Sequence, residues 1–131
     1  MRYMLLIYTN ENAVRTAEEA QQVMEGHRKA MEEATRKGFL RGAEPLAATS
    51  TATTLRVRDG QTVITDGPFA ETKEQLAGYY ILDCKDLDQA IEIATKIPTA
   101  CGGGEGCVEI RPMRSPAPRT QPDEVTDAVH G

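Results

Sequence analysis

Two short stretches, RYMLLIYT (2–9) and AGYYILDC (77–84), constrain this chain more than anything else in it. Each has the length and the branched and aromatic content of a β-strand, and each is apolar at odd and even positions alike. In the first, Tyr3, Leu5 and Ile7 share one face while Met4, Leu6 and Tyr8 share the other. A strand of this kind must be covered on both sides, because a face left in water forfeits its apolar area. The fold therefore needs a sheet with a layer on each side.

Helices supply one layer. Residues 16–38 read as an amphipathic helix with Thr16 as cap and Glu19 completing a capping box. Arg36 and Lys37 suit the C-terminal end of the dipole, and Gly38 can take the left-handed stop. Its apolar stripe runs Ala20, Val23, Met24, Ala30, Met31 and Ala34, with His27 in the middle. A second helix begins at cap Asp86, with Gln89 as capping-box partner, and buries Leu87, Ala90, Ile91, Ala94 and Ile97 before Pro98 closes it. Residues 39–47 make a strand that Pro45 assigns to an edge or a bulge. Residues 53–66 make a hairpin turning at Asp59-Gly60, with Leu55 and Val57 alternating with Arg56 and Arg58. The last strand, 107–113, sends Val108 and Ile110 inward and Glu109 and Arg111 outward.

The element order is β-α-β, hairpin, β-α-β. It predicts an α+β, ferredoxin-like split β-α-β sandwich with both helices on one sheet face and an inserted β-hairpin. The opposite face stays apolar and open. The sheet of a second protomer is the simplest cover, so a homodimer through the sheet face is expected. From about Ser115 the chain becomes SPAPRTQPDEVTDAVHG, without apolar periodicity, which reads as a flexible tail.

Charge narrows the partners. A net charge of −5 disfavours nucleic acid and anionic membrane, both of which reward clustered Lys and Arg. Aromatics make up 5% of the chain, with no Trp, too few for a base-stacking surface. No apolar run is long enough to span a bilayer, and the N-terminal apolar segment is short for a signal peptide, so the expected compartment is the cytoplasm. Cys84, Cys101 and Cys107 lack the spacing of a zinc site. Cys101 and Cys107 could bridge across GGGEG, but a reducing compartment favours reading Cys84 and Cys107 as small apolar strand residues. The glycines at 102–104 lack the Lys-Ser/Thr and the helix of a phosphate loop.

The segment DGPFAETKEQLAGYYILDC (66–84), with RYMLLIYTNE at the start and VEIRP near the end, resembles the DGPF subgroup of YCII-related (YciI-like) proteins. The resemblance covers roughly residues 1–113, leaving 114–131 as a Pro-rich flexible C-terminal tail. It implies a ferredoxin-like fold of the dimeric α+β barrel type. Members generally lack an established activity, but a His–Asp pair is suspected as an active site, and some relatives act in the breakdown of chlorinated aromatics. The function implied is a small-molecule enzyme, lyase, isomerase or dehalogenase-like, acting on a small carbonyl or aromatic acid. The alternative is a non-catalytic accessory or ligand-sensing protein, since genes of this subgroup often sit beside those for extracytoplasmic-function sigma factors. Neither reading calls for a metal or an organic cofactor. The segment CGGGEGC and the tail depart from the family pattern.

On this reading the catalytic candidates are His27 and Asp66. His27 is either a satisfied core residue or, with a carboxylate fixing its tautomer, a general base near neutral pH. Asp66 either closes an Asx-type turn with its own backbone or orients His27 at the sheet surface. Phe69, Lys73 and Arg41 are the candidates for holding a ligand in a helix–sheet pocket, Lys73 as a point charge and Arg41 as a bidentate clamp. Glu71 and Thr72 form a polar lip beside them, and Arg28 belongs on the solvent side of its helix.

Overall fold

The computed structural model describes residues 1–98 and 106–115. The elements follow as β1 (Arg2–Thr9), α1 (Ala17–Arg36), β2 (Leu40–Pro45), a 3-10 turn (Thr49–Thr51), β3 (Thr53–Arg58), β4 (Gln61–Asp66), β5 (Gln75–Asp83), α2 (Leu87–Ala94) and β6 (Gly106–Pro112). The two apolar strands β1 and β5 pair antiparallel at the centre of a sheet ordered β2-β5-β1-β6. The result is an α+β domain of antiparallel sheets and two helices, compatible with the expected class. Among the described residues no helix is long and apolar enough to cross a membrane. The segment holding Cys101 and the glycines, and all but the first residues of the expected tail, lie outside the described residues.

Register decides which side chain goes where. Tyr3 opposes Leu82, Leu5 opposes Tyr80 and Ile7 opposes Gly78. All of these residues are buried, joined by Ala30 and Ala34 of α1 and by Ala90, Ile93, Ala94 and Ile97 at α2. The alternate residues Met4, Leu6, Tyr8, Tyr79 and Ile81 share the other sheet face and are half-buried. Along β6, Val108 and Ile110 pack on the core while Glu109 and Arg111 face out. Pro45 does sit on an edge strand, and β2 carries an irregularity between Leu40 and Gly42.

Helix ends form where local chemistry dictates. Thr16 Oγ1 accepts from the Glu19 amide at 3.1 Å, Glu19 answers on the Thr16 amide at 3.3 Å, and Gly38 takes φ +76° beyond the stop. At α2 the Asp86 carboxylate accepts from the Gln89 amide at 3.0 Å, but Gln89 reaches past the cap to the Lys85 amide at 2.7 Å. Glu33, near the end of α1, pairs with Lys37 at 3.4 Å and with Lys96 at 3.2 Å, tying the two helices together at one end.

Three expectations need correction. The buried face of α2 is Ala90, Ile93, Ala94 and Ile97, whereas Leu87 and Ile91 are 47% and 41% exposed. Both sets satisfy helical spacing, and only the position of the sheet selects the phase. Met24 is 72% exposed and Ala20 is exposed too, so only the C-terminal half of the α1 stripe reaches the core. Cys107 is an exposed residue of β6, aligned with Tyr8 on the helix-free sheet face, whereas Cys84 is buried just after β5. The hairpin does turn at Asp59 (φ +51°) and Gly60 (φ +76°), the paired left-handed residues of a tight two-residue loop. It forms a sheet of its own, in which Leu55, Val57 and Ile64 share one uncovered face.

Gly26 faces the chain after α2, where an added Cβ would lie 2.7 Å from Pro98 Cγ. Glycine in a helix ordinarily costs about 1 kcal/mol against alanine. Here Gly26→Ala is expected to lower stability by about 1 kcal/mol or more through overpacking, seen as a lower urea midpoint. A raised midpoint would mean that Pro98 yields.

Candidate functional site

Under the N-terminal half of α1 the large core side chains run out. The row Leu82, Tyr80, Gly78 ends on a residue with no side chain, between Ile7 and Pro45 on the neighbouring strands. A cavity of about 430 Å³ opens there, walled by Ile7, Val23, Met24, Met31 and Ala43 and carrying His27, Tyr80 and Arg15. Gly78 is held to glycine by close approach, since a Cβ would lie 2.8 Å from the Glu44 carbonyl oxygen.

His27 is half-buried in this wall, and its Nδ1 lies 2.8 Å from the Tyr80 hydroxyl. That hydroxyl also lies 3.5 Å from the His27 carbonyl oxygen. The phenol has one proton and two lone pairs, so the pair supports both neutral tautomers. Either Tyr80 donates to Nδ1, or Nδ1–H donates to the Tyr80 oxygen while the phenol proton turns to the carbonyl. Burial, and secondarily the nearby Arg15 guanidinium, lowers the His27 pKa below its ordinary 6.5. The ring is therefore mainly neutral at pH 7. Burial pushes the Tyr80 pKa up to about 12, so the phenol stays protonated.

Asp66 occupies a different place. It ends β4 and lines a second cavity, of about 500 Å³, with Glu11, Asn12, Thr49 and Glu71. His27 and Asp66 share no hydrogen bond, and the ring partner that the sequence reading gave to a carboxylate is the Tyr80 phenol. No side-chain hydrogen bond of Asp66 closes the turn either. Gly67, at φ +99°, instead extends the hairpin pairing by donating its amide to the Ala52 carbonyl at 2.7 Å, and Thr54 Oγ1 donates to the Gly67 carbonyl at 2.8 Å. The loop is held to the turn after β1 by Gln75, whose Oε1 accepts from the Glu11 amide at 3.0 Å.

The three residues expected to hold a ligand are not gathered at His27. Phe69 is 77% exposed and Lys73 is exposed, and neither lines either cavity. Arg41 turns back to the end of α1, with Nη1 donating to the Gly38 carbonyl at 2.8 Å and to the Leu40 carbonyl at 3.2 Å. Arg28 does lie on the solvent side, paired with Glu25 and Glu32. Tyr80 and Arg15 escaped the sequence reading. Tyr80 sits in an apolar run where a phenol reads as core, and Arg15 precedes the helix cap as an ordinary loop charge. One available signal was that the two-faced strand carries hydroxyls on both faces, at Tyr79 and Tyr80. Among the described residues no cluster of three or more His, Cys, Asp or Glu could hold a metal ion.

These features define an antiparallel α+β protein with a histidine-bearing cavity between its long helix and its sheet. The YCII-related domain matches residues 1–115, and the chain belongs to that family. It is 37% identical over 115 residues to a protein of Rhizobium meliloti (strain 1021) that is described as uncharacterized, a match spanning 86% of this chain and 92% of the relative.

The lowered His27 pKa carries a stability consequence. The unfolded chain takes up the histidine proton at a higher pH than the folded one. The corresponding stability is fully present above pH 6.5 and is lost as pH falls through the folded value. Urea midpoints between pH 7.5 and 5 should therefore fall more steeply for the wild type than for His27→Gln. Parallel curves would show that His27 titrates normally.

Proposed function

We propose that this protein is a small-molecule enzyme of the lyase, isomerase or dehalogenase-like kind, with His27 as its acid/base on a small carbonyl or aromatic acid. The observation that carries the reading is a mainly neutral, half-buried imidazole oriented by the Tyr80 phenol on the wall of a largely apolar cavity. Isomerisation and elimination of HX both need a proton removed from carbon, and a base that is neutral near pH 7 suits that step. In the base-competent tautomer Nδ1–H donates to the Tyr80 oxygen, and the Nε2 lone pair takes the proton from the carbon beside the carbonyl. The electron pair left behind moves into the enolate. The imidazolium keeps its bond to Tyr80 and returns the proton to the far carbon of a conjugated dienolate in an isomerase, or gives it to the departing group as the enolate expels that group in a lyase.

In this reading Tyr80 orients His27 in the role that the family resemblance gives to Asp66. The Asp66-Gly67-Pro68-Phe69 turn is the feature that supports assignment to the DGPF subgroup. We also propose that the protein works as a homodimer of the dimeric α+β barrel type, joined through the helix-free sheet face. Support comes from the apolar Met4, Leu6, Tyr8, Tyr79 and Ile81 there, since contiguous apolar patches of that kind mark association surfaces.

The proton-transfer reading is tested by exchange of solvent deuterium into the methylene of phenylpyruvate, followed by NMR. The wild type should accelerate exchange over buffer and His27→Asn should lose about 100-fold or more, with circular dichroism unchanged. Exchange no faster than buffer, or equal in both proteins, would count against it. For assembly, Leu6→Asp should convert a species of twice the chain mass to a single chain in sedimentation. A wild-type monomer would remove the dimer.

A further inference from the structure

The cavity holds a cation that no other described residue pairs with. Arg15 lies in the loop ahead of the α1 cap, and its exposed guanidinium lines the rim of the His27 cavity. Among the described residues it makes no ion pair or side-chain hydrogen bond, unlike Arg28, Arg36, Lys37 and Lys96, which all meet glutamates. It is also near enough to His27 to act on the ring electrostatically.

The other charged residue at this cavity is Glu44, and its side chain belongs elsewhere. Register sets Glu44 opposite Tyr79, on the sheet face away from Tyr80, so it meets the cavity through its backbone. The polar groups left to face a ligand are Arg15, His27, Tyr80 and Thr9, against an otherwise apolar wall. That inventory is one planar guanidinium, a neutral imidazole and two hydroxyls. A guanidinium binds a carboxylate through two parallel N–H bonds, whereas a phosphate dianion would call for more cationic donors than one.

We infer that Arg15 makes this cavity a site for small monocarboxylic acids with an apolar body, its guanidinium taking the carboxylate at the rim while the body fills the space over Gly78. The inference rests on the proposed role of the cavity and names its ligand class. It also accounts for the exposure of Met24, which would lie with the half-buried Val23 against the apolar body once a ligand is seated. A carboxylate held at Arg15 would set its own α- or β-carbon near His27, and the guanidinium would share the charge of an enolate formed there.

The test is binding, measured by ligand-observed NMR, of benzoate and phenylacetate against their uncharged amides, benzamide and phenylacetamide. The wild type should hold each acid at least about tenfold more tightly than its amide. Arg15→Gln should abolish that preference while leaving amide affinity unchanged, which also reports that the cavity is intact. Arg15→Lys should restore part of it. Equal affinity for acid and amide in the wild type, binding of neither, or an acid preference that survives Arg15→Gln would each overturn the inference. His27→Asn separates this claim from the catalytic one. Acid preference kept with exchange lost upholds both, and acid preference kept with exchange unimpaired strikes only the acid/base role.

Discussion

The pairing of β1 with β5 is the interaction on which everything else rests. Both strands are apolar on both faces through their middle, so antiparallel pairing makes a sheet centre with two apolar faces. Helices α1 and α2 cover one face, and the small residues Ala30, Ala34, Ala90 and Ala94 let them approach closely enough to bury Leu5 and Leu82 completely. The flanking strands follow from the same rows. Leu40 and Ala43 extend the core row on the β2 side, and Ile110 and Val108 extend it on the β6 side. The charged residues on the other face lie at its margins, at Arg2, Asp83, Glu44, Glu109 and Arg111, which leaves its centre apolar.

The cavity is a direct product of this register. Tyr3, Leu5 and Ile7 continue across the sheet to Leu82, Tyr80 and Gly78. Volume therefore falls away at one end of the row while α1 continues overhead. A helix over such a gap can present partly buried side chains that are neither core nor solvent, and His27 is one of them. Its nearest strong polar neighbour is the last large side chain before the gap, Tyr80. Fold and candidate chemistry thus share one strand, and the residue that caps the core also orients the imidazole.

What was legible in the sequence was what local chemistry decides. The Thr16–Glu19 box, the Gly38 stop, the Asp59-Gly60 turn and the two-faced strands depend on residues a few positions apart. The phase of α2 was not legible, because spacing alone admits Leu87 and Ile91 as readily as Ile93. The partner of His27 was not legible for a stronger reason. Tyr80 lies far along the chain and meets His27 only through the β1–β5 register, whereas Asp66 advertises itself within a distinctive loop. Where that loop goes depends on the hairpin, which forms a separate two-stranded sheet and carries Asp66 to the neighbourhood of Glu11 and Glu71. Arg15 had no local signature at all.

The exchange of a carboxylate for a phenol as the partner of His27 changes what such a cavity can do. A carboxylate stabilises the imidazolium, raising the histidine pKa and adding a fixed negative charge that would repel an acid. A phenol whose pKa is about 12 adds no charge and leaves burial and Arg15 to hold the ring neutral. With Tyr80 in that role the side chains facing the cavity carry one net positive charge at Arg15, and the mainly neutral imidazole beside it, as the proposed base, would accept a proton without first losing one. Charge created on a substrate by that transfer is negative, and it forms between the new imidazolium and the guanidinium. The electrostatics of proton abstraction and of acid recognition therefore favour the same occupant, and they do so because the orienting group is neutral.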